Sequence, residues 1–145
     1  MIIPRARNVK VIYKGGKPVN LAQKTMQQKE AAAIVFLRDK VPEILKTERD
    51  NVRSIHLYRC GNCWMALERS AYLLHEVFHY TGRVSVFYLT DGKRFVMIEE
   101  PDFIVSRIRG SAGCEERTGG YVKYNTEHLI ANADFEGWKG RIDDE

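Results

Sequence analysis

Thr90-Asp91-Gly92 sits between two runs of strand-forming residues, and no other stretch of the chain constrains its fold as much. An Asp-Gly pair so placed is a strong hairpin signal, because glycine accepts the positive φ that tight turns demand. The flanking runs, residues 83–89 and 93–99, carry Val84, Val86, Phe87 and Tyr88 before the turn and Phe95, Val96, Met97 and Ile98 after it. Consecutive apolar residues predict strands buried on both faces, and so central in a sheet.

Other elements group around that hairpin. Residues 9–13 and 18–21 flank Lys14-Gly15-Gly16-Lys17, a second hairpin pattern. Helix formers dominate residues 28–38, with Asn20/Gln23 or Thr25/Gln28 as capping pairs and Ala31, Ala32, Val35 and Leu37 as buried positions. Pro42 suits the first position of a further short helix. Residues 54–60 read as a strand and 65–79 as a helix. Residues 103–108 read as a strand, the glycine-rich residues 109–120 as a mobile loop, 120–124 as an edge strand and 126–133 as a short helix. The pattern predicts an α+β fold: a mixed or antiparallel sheet with two or three helices and an embedded zinc-knuckle and helix unit.

A chain of 145 residues fits one domain, expected to divide into a basic hairpin (1–21), a unit at 54–82, a hairpin and strand (83–108) and the loop. No apolar run approaches the roughly 18 residues of a membrane span, and residues 1–10 lack the apolar stretch of a secretory signal. Three cysteines, two of them closely spaced, suit free thiols in a reducing, cytoplasmic setting better than a disulfide framework. The net charge of +4 is unevenly placed. Residues 1–29 hold seven cations (Arg5, Arg7, Lys10, Lys14, Lys17, Lys24, Lys29) and no acid, leaving 16 basic and 19 acidic groups elsewhere. Such asymmetry points to DNA or RNA phosphates, or else to a solvated basic hairpin.

The chemistry-bearing stretch runs from Tyr58 to His79. Cys60 and Cys63 can form a tight knuckle about Gly61 and Asn62. His75 and His79, four apart, would stack on one side of a helix. Taking 100° per residue, Ala66, Leu67, Ser70, Ala71, Leu73, Leu74, Val77 and Phe78 share one half of that helix, and the two histidines fall outside this stripe near Glu68 and Tyr72. A tetrahedral zinc ion takes four such N and S donors.

The segment resembles the two-Cys, two-His zinc finger over residues 58–83. Tyr58, the cysteine pair, Leu67, the histidine pair and Thr81-Gly82-Arg83 carry the likeness. Eleven residues separate Cys63 from His75, one fewer than the usual twelve or so, and Tyr80 precedes Thr81-Gly82. The resemblance therefore implies only the four ligands, holding one structural zinc per chain, and no base-reading positions. The same residues spell His75-Glu76-Val77-Phe78-His79, which looks like the zinc metalloprotease signature with Glu76 as general base. That alternative needs a third ligand from Glu99, Glu100 or His128 and leaves the cysteines without a role.

The remaining candidates read more simply. His56 shares a strand face with Tyr58 and Cys60 and reads as an ordinary strand residue. Cys114, beside Glu115 and Glu116, has a disfavoured thiolate. Trp64 and Trp138 suit packing, and Arg107, Arg109 and Arg117 lack phosphate-loop spacing. The leading expectation is a zinc-stabilised, non-catalytic protein that binds nucleic acid, or a protein of nucleic-acid metabolism, with Arg5, Arg7, Lys10, Lys14, Lys17 and Lys24 on phosphates and Tyr13 available for stacking. The alternatives are a zinc-dependent hydrolase and a protein-binding regulator.

Overall fold

The computed structural model describes residues 13–14, 17–18, 39–89, 91–109 and 113–142. The elements run β1 (Tyr13–Lys14), β2 (Lys17–Pro18), helix α1 (residues 39–49), β3 (Ser54–Cys60), β4 (Cys63–Leu67), α2 (Glu68–Tyr72), a π-helical turn (Leu73–Val77), β5 (Arg83–Tyr88), β6 (Arg94–Pro101), α3 (Phe103–Arg109), β7 (Cys114–Thr118), β8 (Tyr121–Asn125) and α4 (Asn132–Arg141). The fold is α+β. β1 and β2 form a small antiparallel pair, and the other six strands form one antiparallel sheet in the order β5-β6-β4-β3-β8-β7.

Alternation along the strands divides the core between the two faces of that sheet. Ile55 and Leu57 of β3, Trp64 and Ala66 of β4 and Val96 and Ile98 of β6 pack on one face with Tyr72, Leu73, Leu74, Ile104, Ile108, Phe135 and Trp138. Thus α2, the π-turn, α3 and α4 cover that side. Cys60, Met65, Leu67, Phe87, Phe95 and Met97 point the other way and meet Val41 and Ile44 of α1. The Asp-Gly hairpin forms as expected: Phe87 opposes Phe95, their rings stacked with centroids 5.4 Å apart, and Gly92 takes φ 89. Among the described residues β5 is nonetheless an edge strand, and of the hairpin's two strands β6 alone is interior.

Several sequence expectations are corrected. Residues 65–67 extend β4 instead of opening a helix, because Ala66 and Leu67 pair with Ile98 and Met97 of β6. Sheet pairing and burial on both faces outweigh local helix preference there. The helix starts at Glu68, whose φ of 49 marks an abrupt strand-to-helix junction. The Glu68 carboxylate pins that corner, accepting from Val96 N at 3.0 Å and Lys139 Nζ at 2.7 Å.

Residues 103–108 form α3, not a strand: Ile104, Val105 and Ile108 are buried at helical spacing while Ser106 and Arg107 are exposed. Part of the expected loop 109–120 is β7, joined to β8 through Gly119-Gly120, and β8 lies between β7 and β3 rather than at an edge. No helix covers residues 126–131, and the last helix begins at Asn132. Pro42 lies inside α1, which already includes residues 39–41. Of the first expected hairpin, Tyr13 pairs with Pro18 and Lys14 with Lys17. The helix expected over 28–38 lies outside the described residues. Within the described residues no helix is long and apolar enough to cross a membrane.

Candidate functional site

Cys60 and Cys63 face each other as the last paired residues of the β3–β4 hairpin. Gly61, the first residue of the two-residue turn, has φ 66, the sign a type II′ turn needs there. Cys63 Sγ donates to Cys60 O at 3.3 Å. Cys60 is 8% exposed, and burial, together with the Cys63 thiol and Glu99, pushes its pKa up to about 12. Both cysteines belong with the α1 side of the sheet.

The histidines lie elsewhere. His75 sits on the π-turn against Trp138, ring centroids 5.8 Å apart, on the side of the sheet that α4 covers. Its Nδ1 is 2.9 Å from Glu76 Oε2. Phe78 N donates to Leu73 O and Tyr80 N to Leu74 O, so the chain widens beyond α-helical spacing, and exposed His79 takes φ 58. The two histidines therefore do not stack as they would four apart on an α-helix. The sheet separates the cysteine pair from His75, so the structure does not bring the four expected ligands together. Among the described residues no three His, Cys, Asp or Glu side chains are grouped as a metal ion requires. The side chains of two of the third-ligand candidates have other partners. Glu99 pairs with Arg83 at 2.8 Å, and buried Glu100, its pKa raised by desolvation, accepts from Gly82 N at 3.2 Å. His128 N donates to Thr126 Oγ1 at 3.0 Å. Lys14 and Lys17 oppose each other in the β1–β2 pair, while Arg5, Arg7, Lys10 and Lys24 lie outside the described residues.

The structure assembles a different site. A cavity of about 400 Å³ opens between α1 and the β3–β8 pair, with Lys40, Glu43 and Thr47 on one side and Tyr58, Gly120 and Tyr121 on the other. Positions 40, 43 and 47 share a helix face at i, i+3 and i+7. Tyr58 and Tyr121 are directly opposed across the two strands, their rings 5.2 Å apart between centroids and tilted 35°. His56, buried on the same face, has Nδ1 2.7 Å from the Tyr121 hydroxyl and its ring stacked on Tyr121 at 6.0 Å. Desolvation, then Glu48, Tyr121 and Glu43, holds the Tyr58 hydroxyl well above the ordinary tyrosine range. The Tyr58 phenol thus stays neutral, and the floor is an aromatic surface under a lining that includes Lys40, Arg59, Glu43 and Thr47. Such a surface can receive a flat heteroaromatic ring, with polar groups placed at its edge.

The chain matches no protein-family profile, no curated protein and no solved structure.

Beneath the groove lies a buried polar network that sequence reasoning missed. Glu48, 1% exposed at the end of α1, accepts from Asn51 Nδ2 at 3.0 Å and Ser70 N at 2.9 Å, and its Oε2 lies 2.5 Å from Ser70 Oγ. Ser70 Oγ also accepts from His56 N at 2.9 Å, and Asn51 Oδ1 accepts from Ser54 N at 2.7 Å. These bonds tie α1 to the first turn of α2 and to the start of β3, and so fix the helix wall relative to the aromatic floor. Burial pushes the Glu48 pKa up to about 8 against the opposing pull of Asn51 and Ser70. At neutral pH Glu48 is therefore mostly protonated. Its proton can go to Ser70 Oγ, whose own hydrogen then turns to Ser54 O at 3.3 Å. The pattern Glu48-x-x-Asn51 was visible in the sequence, but its partner Ser70 is 22 positions away from Glu48.

Proposed function

We propose that the protein binds single-stranded nucleic acid without catalysis, receiving a base on Tyr58 and Tyr121 and meeting the backbone with the cations of residues 1–29. The opposed tyrosine pair on the floor of the α1–β3–β8 groove is the observation that carries this reading. Stacking on aromatic side chains suits unpaired bases, whose faces are accessible, whereas duplex bases are already stacked on each other. Lys40 adds a cation at the rim, and Glu43 and Thr47 offer hydrogen-bonding partners for a base edge. The uneven charge supplies the sequence-independent attraction that single strands require. Zinc has no part in this reading.

Binding of labelled 12-nucleotide single strands of DNA and RNA, followed by fluorescence anisotropy at low salt, tests it. Tyr58→Ala and Tyr121→Ala should each weaken binding roughly 5- to 150-fold, since base stacking on one aromatic is worth about 1–3 kcal/mol. Circular dichroism melting of each variant separates lost stacking from lost fold. Folded variants that bind as tightly as the wild type would overturn the assignment of the groove. If no strand binds the wild type at low salt, the nucleic-acid reading fails outright, and the protein-binding regulator takes its place.

A further inference from the structure

We propose that Cys60 and Cys63 form a redox-responsive dithiol, closing to an intrachain disulfide across the β3–β4 hairpin when a peroxide reaches it. The two residues are register partners across a two-residue turn, so their side chains leave the sheet on the same face. Directly opposed residues in an antiparallel pair have Cα atoms about 4.5–5.5 Å apart, inside the roughly 4.4–6.8 Å range that disulfides span. Neither cysteine is in a disulfide in this structure, and Cys63 Sγ is already turned back over the hairpin to Cys60 O at 3.3 Å. The thiols differ in access: Cys63 is half-buried, whereas Cys60 packs among Met65, Leu67 and Met97.

That difference assigns an order to the chemistry. Cys63 reacts first: its sulfur displaces water from hydrogen peroxide and becomes a sulfenic acid, a two-electron oxidation of sulfur with reduction of the peroxide O–O bond. Cys60 then attacks the Cys63 sulfur: the S–S bond forms as the S–O bond breaks, and the sulfenic hydroxyl leaves with the Cys60 proton as a second water. In sum, two thiols and one peroxide give one disulfide and two waters. A thiol reductant reverses the step by exchange through a mixed disulfide. Tyr58 lies two residues before Cys60 on the same strand face, so the closed form fixes the hairpin end of the strand that floors the groove.

The test uses the full chain at neutral pH with a tenfold excess of hydrogen peroxide, and then with the dithiol oxidant diamide. Samples are weighed intact, then alkylated in denaturant and weighed again. The expected product is 2 Da lighter than the reduced chain, leaves one alkylatable cysteine, yields a Cys60–Cys63 linked peptide on digestion, and reverts with dithiothreitol. Cys114→Ser should keep the 2 Da loss and Cys63→Ser should lose it. Three results would overturn the proposal: a product 16, 32 or 48 Da heavier on Cys63, a linkage through Cys114, or all three thiols alkylatable after both oxidants.

Discussion

Glu48→Ala is expected to destabilise the protein by roughly 3 kcal/mol or more, whereas Glu48→Gln should cost far less. The alanine variant leaves Ser70 N without its carboxyl acceptor in a dry interior and removes one acceptor of Asn51 Nδ2, which keeps Ser54 O at 2.7 Å. Each buried polar group left unpaired costs about 1–3 kcal/mol. Glutamine reproduces the neutral carboxyl: its oxygen can accept from Ser70 N, and its NH2 stands where the acid proton meets Ser70 Oγ. The two variants also differ with pH. The Glu48 pKa is raised in the folded chain, from the ordinary 4.5 to about 8. Between these values the folded state holds a proton that the unfolded state has lost. Its stabilising contribution is therefore whole below about pH 4.5 and is lost as pH rises through about 8. Urea midpoints from pH 5 to 9 should fall for the wild type by an amount that Glu48→Gln largely abolishes. A wild-type midpoint flat over that range would contradict the protonated network.

The second large effect is on binding. With seven cations in residues 1–29 and none of their charge offset by acids in that stretch, contact with six or seven phosphates should release about 0.7 counterion per contact. Affinity for a single strand should then drop roughly 300- to 900-fold between roughly 50 and 200 mM salt. Reversing charge at Lys10, Lys14 and Lys17 together should weaken binding to every sequence alike and flatten the salt slope by about 0.7 per lost contact. Titrations at four salt concentrations measure both. A slope near zero, or one unchanged in the triple variant, would remove residues 1–29 from the interface.

The strands were legible wherever local pattern and tertiary setting agree. Ser54–Cys60 and the Asp91-Gly92 hairpin are β-rich runs bounded by turn residues, and they fold as they read. Elsewhere local chemistry misled. Phe103–Arg109 is rich in β-branched residues, yet its buried positions recur with helical period. Cys114–Thr118 is a strand because Gly119-Gly120 lets it fold back on β8, where Glu115 opposes Lys123; glycine alone reads equally as a loop. The last helix holds Gly137 and Gly140, poor helix formers, and depends on packing: Phe135 and Trp138 bury against Tyr72, and Arg94 donates to the carbonyls of Lys139 and Ile142 at its end. The turn at Gly61-Asn62 between the cysteines was visible, but β4 and the histidines' departure were not: the π-turn and the left-handed His79 lie where the chain leaves the helix for β5. The groove was hidden for a plainer reason. Tyr58 and Tyr121 meet only through the β3–β8 register, across 63 positions of sequence, and neither neighbourhood announces the other.

Photocrosslinking tests the central claim most directly. A single strand carrying 5-iodouridine at each position in turn, irradiated on the wild-type protein at low salt and mapped by mass spectrometry, should place at least one covalent base on Tyr58 or Tyr121. Crosslinks confined to residues outside the groove, from a strand that binds with full affinity, would contradict it.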